Sequence, residues 1–315
     1  MSNGKNFCLL STDNLENFVV DDELVYESIK EKNWNLDVKS WHDKSVDWNN
    51  YDAVMIRTTW DYQQYPEEFF SVLETIDRSN ALLINPLEIV RWNINKKYLL
   101  DLAERGVRIP PTVHGFHIDE INFDTIFDVE GSDSLIIKPT VSANADHTYW
   151  FTPDNLKELL PKIKESFRNR EFFIQPFLEN VIKEGEYSLI HFGGKLSHTV
   201  LKTPKTNDFR VQEEHGGIIR AIEPSEKIIK TAENVIAALG KIFSQGKIST
   251  AHSHDDSRKS INGEIPFQVR VDLVRNKDDE FELMELEMIE PSLYFRTNSN
   301  SVKNFMEGLE KLLLG

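Results

Sequence analysis

The residues with the clearest chemical potential lie close together near the C-terminus, in QVRVDLVRNKDDEFELMELEMIEPS (residues 268–292). Two stretches of alternating character flank the charged turn NKDDE, the pattern of a β-hairpin. A period of two sends Arg270, Asp272 and Val274 to one face of the first strand, and Leu283, Glu285 and Glu287 to a common face of the second. An arginine and three carboxylates cannot all be buried unpaired, because desolvation costs several kcal/mol per charge. A divalent cation would resolve the conflict. Magnesium takes oxygen ligands, usually a few carboxylates together with substrate phosphates. The same residues would also serve as the solvated polar face of a hairpin, and the alternation alone leaves both open.

Two lysines add to this set. Lys97, or its neighbour Lys96, starts a helix after a turn, and Lys138 ends the apolar run SLIIKP before a loop of small polar residues, TVSANADHTY. Either lysine alone is ordinary at a protein surface. Combined with a magnesium-type carboxylate set, two ammonium groups suggest a site for a nucleoside triphosphate, with the metal bridging the phosphates from the other side. A separate candidate is RTTWDY (57–62), where Arg57, Thr58 and Asp61 stand at a strand end. They could hold an amino-acid zwitterion, Arg57 taking the carboxylate and Asp61 the amine, or Arg57 and Asp61 could simply pair within a packed loop.

The elements that must position these residues are those of an α/β chain. Residues 5–92 alternate strand and helix: FCLL, LDVKSW, DAVMIR and ALLINP read as strands, DDELVYESIKEKN and YPEEFFSVLETIDRS as helices. That order implies a mainly parallel sheet with ligands at its carboxyl ends. A helix in NKKYLLDLAERG leads into a second unit, with SLIIKP and EFFIQPF as strands around a helix in DNLKELLPKIKESF. The third unit opens with EYSLIHFGG and KLSHTVLK, turned at Gly193-Gly194. It continues through a polar loop, a long helix (225–243), the 268–292 hairpin and a C-terminal helix. The expected units are 1–93, 94–178 and 179–315. Residues 244–264 carry no apolar periodicity and read as a polar surface loop, in which the AHSHDD run lacks the fixed setting zinc requires.

With these motifs in place, the chain resembles the ATP-grasp superfamily, in the branch around glutathione synthetase and D-alanine–D-alanine ligase. Over nearly its whole length it looks most like the small ATP-grasp ligases that include the enzyme closing the D-cycloserine ring. The family's lysine after an NxK turn, its second lysine at a strand end and its RxD…ExN/E element stand here as NKK (95–97), IIKP (136–139), RVD (270–272) and ELE (285–287). The resemblance implies an N-terminal Rossmann-like substrate domain followed by two lobes that clamp ATP. Lys97, Lys138 and Ser142 would hold its phosphates. Phe177 and Leu178 would meet adenine, and Glu179 or Glu186 the ribose. Asp272, Glu285 and Glu287 would bind magnesium or manganese, and Arg270 would steady the acyl phosphate. LKTPKTNDFRVQEEHGG (201–217) resembles the loop that closes over the phosphates, with Lys202 and Arg210 as its cations and Gly216-Gly217 at its end, close to substrate. The implied activity is ADP-forming ligation of a carboxylate to an amine or other nucleophile, or the intramolecular version of that reaction. An ATP-binding protein without turnover is the alternative. Two departures stand out: the phosphate-covering loop has no glycine, and Glu287 replaces the asparagine of the two named synthetases.

Composition excludes other classes. With 52 acids against 36 bases and a net charge of −16, the chain has no Lys/Arg block to track a phosphate backbone, so nucleic acid is not an expected partner. No run of roughly 18 apolar residues could span a membrane. The N-terminus lacks the pattern of a signal peptide, so the cytoplasm is the expected compartment. A single cysteine, Cys8, rules out an internal disulfide and sits in an apolar strand suited to a core. The P-loop, dinucleotide-fold, zinc-protease and nucleophile-elbow motifs are missing. The expected partner is a small carboxylate- or amine-bearing substrate, and a homodimer is the assembly the resemblance suggests.

Overall fold

A computed structural model describes residues 4–142, 144–244 and 265–315. The polar stretch 245–264, with the AHSHDD run, and Ala143 of the small-residue loop lie outside the described residues. Three sheets organise the rest. The first contains β1 (Asn6–Ser11), β2 (Asn35–Ser40), β3 (Ala53–Thr58) and β4 (Leu82–Ile84), all parallel in the order β2-β1-β3-β4. Its central strands are buried almost throughout, which is why FCLL and AVMI read as continuous apolar runs. The helix Pro66–Arg78 starts with proline at its first turn, where no N–H partner is needed, and buries Phe69, Val72, Leu73 and Ile76 against this sheet.

The second sheet is antiparallel: β5 (Val113–Gly115), β6 (Leu135–Pro139), β7 (Tyr149–Phe151) and β8 (Phe172–Pro176), in the order β5-β8-β6-β7. The third contains β9 (Glu186–Phe192), β10 (Lys195–Thr203), β11 (Ile218–Ile222), β12 (Gln268–Arg275) and β13 (Phe281–Glu287), antiparallel in the order β11-β10-β9-β12-β13. β9 and β10 turn at Gly193 and Gly194, both at positive φ, as a tight hairpin turn requires. The helix Glu226–Ser244 covers one face of this sheet. The short helix Tyr98–Ala103 packs there too, so residues 98–107 share the core of the third sheet rather than that of the second.

The first and third sheets are joined by a common core in which Phe7, Leu9 and Met55 meet Ile190, Phe192 and Phe305. Buried hydrogen bonds reinforce the join. Asn85 Nδ2 donates to the carbonyls of Gln268 (2.9 Å) and Met288 (2.8 Å), and Gln268 Nε2 donates to those of Ile56 (3.0 Å) and Ile289 (2.7 Å). Arg57 is part of this seam: it is 2 % exposed, forks onto Asp22 at 2.8 and 2.9 Å and donates to Gln268 Oε1 at 2.9 Å.

Candidate functional site

A cleft of about 820 Å³ opens between the second and third sheets. Its apolar lining is formed by Ile136, Pro176, Phe177, Leu178, Val181, Val211 and Met284. Phe177 stacks on Trp150 with ring centres 4.4 Å apart, and Phe209 meets both rings edge-on at 6.1 Å. The same cleft has charged walls, with Lys96, Lys138, Glu186, Arg210 and Glu285 among its lining residues. A lining that combines apolar and aromatic side chains with cations and carboxylates suits a ligand that carries both a flat ring and several negative charges.

The hairpin of β12 and β13 supplies the acids. Its register places Arg270 opposite Glu287 and Asp272 opposite Glu285. Oxygens of Asp272, Glu285 and Glu287 lie within 4.8 Å of one another, close enough to hold one cation. A bulge after Asp272 then breaks the alternation. It turns Leu283 to the opposite face, into the core with Leu273, and gives Met284 the place in the cleft that strict alternation assigns to Leu283.

Asp272 is the most deeply held acid, 1 % exposed. Its oxygens accept from Ser188 Oγ (2.5 Å), Lys202 Nζ (3.2 Å) and the Arg270 guanidinium (2.9–3.2 Å). Burial opposes its charge, yet Arg270 and Lys202 hold the carboxyl down at about 2. Glu285 pairs with Lys96 at 2.9 Å; burial raises its pKa, but Lys96 and Lys138 overcome that and lower it. Glu287 accepts from Arg270, but burial, together with the Glu285 and Asp272 charges, pushes it up to about 7. Beyond it Glu290 is pushed up to about 8, by burial first and then by Glu287. Three carboxylates offering only oxygen donors, one of them held back from ionising by burial and then by its neighbours' charge, fit a hard divalent cation.

A pH dependence follows. Between the ordinary glutamate value and about 7, folded Glu287 keeps a proton that the unfolded chain has released, so its contribution to stability falls as pH rises through that window. A cation must displace that proton. Manganese affinity measured by calorimetry is therefore expected to be about tenfold tighter at pH 8 than at pH 6. A flat profile would remove Glu287 from the ligand set.

Lys138 lies in the cleft wall, and its Nζ has no hydrogen-bond or ion-pair partner among the described residues. Burial pulls its pKa down to about 8. Lys96, rather than Lys97, is the second lysine in the cleft. Its Nζ sits between Glu285 Oε1 and the Ser142 carbonyl (2.7 Å), and its backbone N–H donates to Thr140 O. Lys97 turns away to Glu171 at 3.3 Å. After β6, Asn144, Ala145 and His147 all adopt positive φ, so this loop makes its turns without glycine.

The other expected residues separate. Glu186 lines the cleft, whereas Glu179 is well exposed and pairs with Lys183 one turn on. Lys202 is not a free lid cation: it is 3 % exposed, clamped between Glu186 (2.5 Å) and Asp272, and burial is outweighed by those two acids, so its pKa is raised. Arg210 lines the cleft and forks onto Asp208 at 2.8 and 3.0 Å. Gly216, at φ 85°, ends the short turn Glu213–His215. A Cβ on Gly217 would meet Val211 O at 2.0 Å, so the pair shapes the loop rather than the cleft wall. Arg57, Thr58 and Asp61 do not form one site. Arg57 is spent in the seam, and Thr58 donates to Ser11 Oγ at 2.7 Å. Asp61 accepts from Thr12 Oγ1 and Trp41 Nε1 (2.7 Å) and meets His42 Nε2 at 2.7 Å. Trp150, Phe209 and Glu290 were not singled out by sequence pattern. Trp150 follows the small-residue loop, and Glu290 stands three residues after Glu287.

Comparison with known proteins places this geometry in context. Residues 7–85 match the family described as the N-terminal domain of D-cycloserine synthetase DcsG. The cycloserine biosynthesis protein DcsG of Streptomyces lavendulae is 27% identical over 292 residues, 88% of each chain. The crystal structure of D-cycloserine synthetase DcsG superposes with a TM-score of 0.79 at 23% identity, covering 98% of this chain and 99% of that one. D-alanine–D-alanine ligase from Bacillus anthracis, complexed with ATP, superposes at 0.63 and 14% identity over 99% and 98%. The chain has the ATP-grasp fold. Among the described residues, no helix is long and apolar enough to cross a membrane.

Proposed function

We propose that the protein is an ATP-dependent, ADP-forming ligase that activates a small carboxylate as an acyl phosphate and transfers the acyl group to a nitrogen nucleophile. The observation that carries this reading is the charged lining of the cleft: Lys138 and Lys96 share it with Glu285, which clusters with Asp272 and Glu287, and Arg270 joins those last two acids. The adenine would occupy the slot at Phe177 and Leu178, with Glu186 at the ribose and Lys138 on phosphate oxygens. Asp272, Glu285 and Glu287 would hold magnesium or manganese, which would supply charge neutralisation at the transferring phosphoryl group.

In this reaction a carboxylate oxygen of the substrate bonds to the γ-phosphorus and the bond to ADP breaks. The nitrogen nucleophile then bonds to the carbonyl carbon, inorganic phosphate leaves, and the nitrogen gives up its proton. The chain's part is to bind and orient, with no protein nucleophile; buried Cys8 fits that, since burial pushes its thiol up to about 12. Arg270 would stabilise the oxygen that becomes negative as nitrogen adds. We place the protein in the cytoplasm and leave its substrate within the class of small carboxylate-bearing amines.

An intramolecular version, in which one molecule supplies both carboxylate and nitrogen, is favoured by the match of residues 7–85 to the DcsG N-terminal domain. The deciding experiment measures ADP release from Mg-ATP against amino acids, hydroxy acids and dipeptides, alone and in pairs. Stimulation by a single compound with a product one water lighter would mean ring closure, and a requirement for a pair would mean ordinary ligation. Calorimetric Mg-ATP binding without ADP release for any compound in the panel would favour a binding protein over an enzyme.

A further inference from the structure

We propose that Arg296 is a positioning residue that clasps the lid loop at Glu213 to the N-terminal unit at Asp21, so that the lid closes against all three parts of the molecule together. The inference rests on reading residues 203–217 as a lid over a nucleotide cleft. That loop runs from β10 to β11 and brings Phe209, Arg210, Val211 and Gln212 onto the cleft wall. Its short turn Glu213–His215 is pinned on two sides. On one side His215 Nε2 lies 3.0 Å from the Asn144 carbonyl, in the loop that follows β6. On the other, Arg296 donates one η-nitrogen to Glu213 Oε1 at 2.5 Å and the other to Asp21 Oδ2 at 2.8 Å, while its backbone N–H reaches the same Asp21 oxygen at 3.3 Å.

Isolated surface ion pairs contribute little, but this one differs in geometry. One guanidinium forks between two carboxylates from distant segments, and Asp21 is only 10 % exposed in its side chain. Burial opposes the charge of Arg296, yet Glu213 and Asp21 raise its pKa, so it stays cationic. Without it, Asp21 and Glu213 would be left facing each other as like charges, which favours separation of the lid from the N-terminal unit. Lysine could replace the charge but not the fork.

The clasp also shares a wall with the site. Two residues before Arg296 stands Tyr294, a buried residue held at φ 50°, ψ 40°, a left-handed conformation that a non-glycine residue keeps only where the surroundings fix it. The centre of the Tyr294 ring lies 5.8 Å from the guanidinium carbon of Arg270 and 5.8 Å from that of Arg296. The arginine assigned to the acyl phosphate and the arginine that holds the lid thus pack on the same ring. Closing the lid there would exclude water from an intermediate that water destroys.

Limited trypsin digestion of the full chain tests this, because Lys205 and Arg210 lie within the lid. The clasp needs no nucleotide, so Arg296→Gln should be cut in the lid about tenfold faster than wild type before any is added. Glu213→Gln, which leaves the Asp21 contact intact, should do the same, the double variant should be no faster than either, and Arg296→Lys should fall between. Equal cutting of wild type and both single variants, at matched unfolding temperatures, overturns the clasp. Failure of Mg·AMPPNP to slow cutting of the wild type would instead overturn the nucleotide reading, leaving the nucleotide-free comparison to decide the clasp by itself.

Discussion

Lys138→Met is expected to weaken Mg-ATP binding by a hundredfold or more, about 3 kcal/mol, while leaving the fold intact. Lys138 is a cation in the cleft wall whose Nζ has no hydrogen-bond or ion-pair partner among the described residues. Burial disfavours its charged form, with Glu285 supplying a partly compensating field. A group in that position costs the folded state free energy until an anion arrives. Methionine keeps the length and apolar stem and removes only the charge, so the melting temperature should hold or rise. The pH profile carries the same signature. Because the folded pKa, about 8, lies below that of a free lysine, the wild type releases a proton on folding across the window from about 8 to 10, and its stability rises with pH there. The variant should lack that rise. Calorimetry for the nucleotide and thermal melts from pH 7 to pH 10 measure both effects. Unchanged nucleotide affinity would remove Lys138 from the phosphate site.

Lys138 was legible only in combination, because a lysine at a strand end is ordinary by itself and gains meaning from a second lysine and a set of magnesium-type carboxylates. The acids of the hairpin were visible in the alternation itself: a period of two put Arg270 with Asp272 and Glu285 with Glu287, and the register pairs them. What alternation could not reveal was the bulge after Asp272, a backbone choice that moves Leu283 to the core and Met284 to the cleft. Lys96 and Lys97 are adjacent on a tight turn, where no periodicity tells which side chain faces inward. Arg57 misled for a different reason. Its partners Asp22 and Gln268 are 35 and 211 residues away, so the seam that consumes its charge has no local pattern. Lys202 looked like a lid cation because its loop begins one residue after it, yet it belongs to β10 and points between Glu186 and Asp272.

That placement of Lys202 separates two kinds of acid in one cluster, and the second large effect turns on the difference. Glu285→Gln is expected to reduce metal-dependent turnover by two to three orders of magnitude, about 3–4 kcal/mol in the barrier, with little change in stability. Glu285 is about one-third exposed and its pair with Lys96 is partly screened, so the amide can replace it in shape and in hydrogen bonding to the ammonium. It cannot replace the negative charge a hard cation needs. Asp272→Asn should behave in the opposite proportion. Asp272 is buried beneath Arg270 and Lys202, and neutralising it leaves Arg270 with Glu287 alone and Lys202 with Glu186 alone, a broken buried network that costs about 3 kcal/mol. Both variants should lose activity, but only Asp272→Asn should also unfold at much lower denaturant concentration. Manganese titration of each, paired with urea unfolding, distinguishes them. Glu285→Gln retaining wild-type metal affinity would mean that its carboxylate only holds Lys96 in place, and the cation would then have to rest on Asp272 and Glu287 alone.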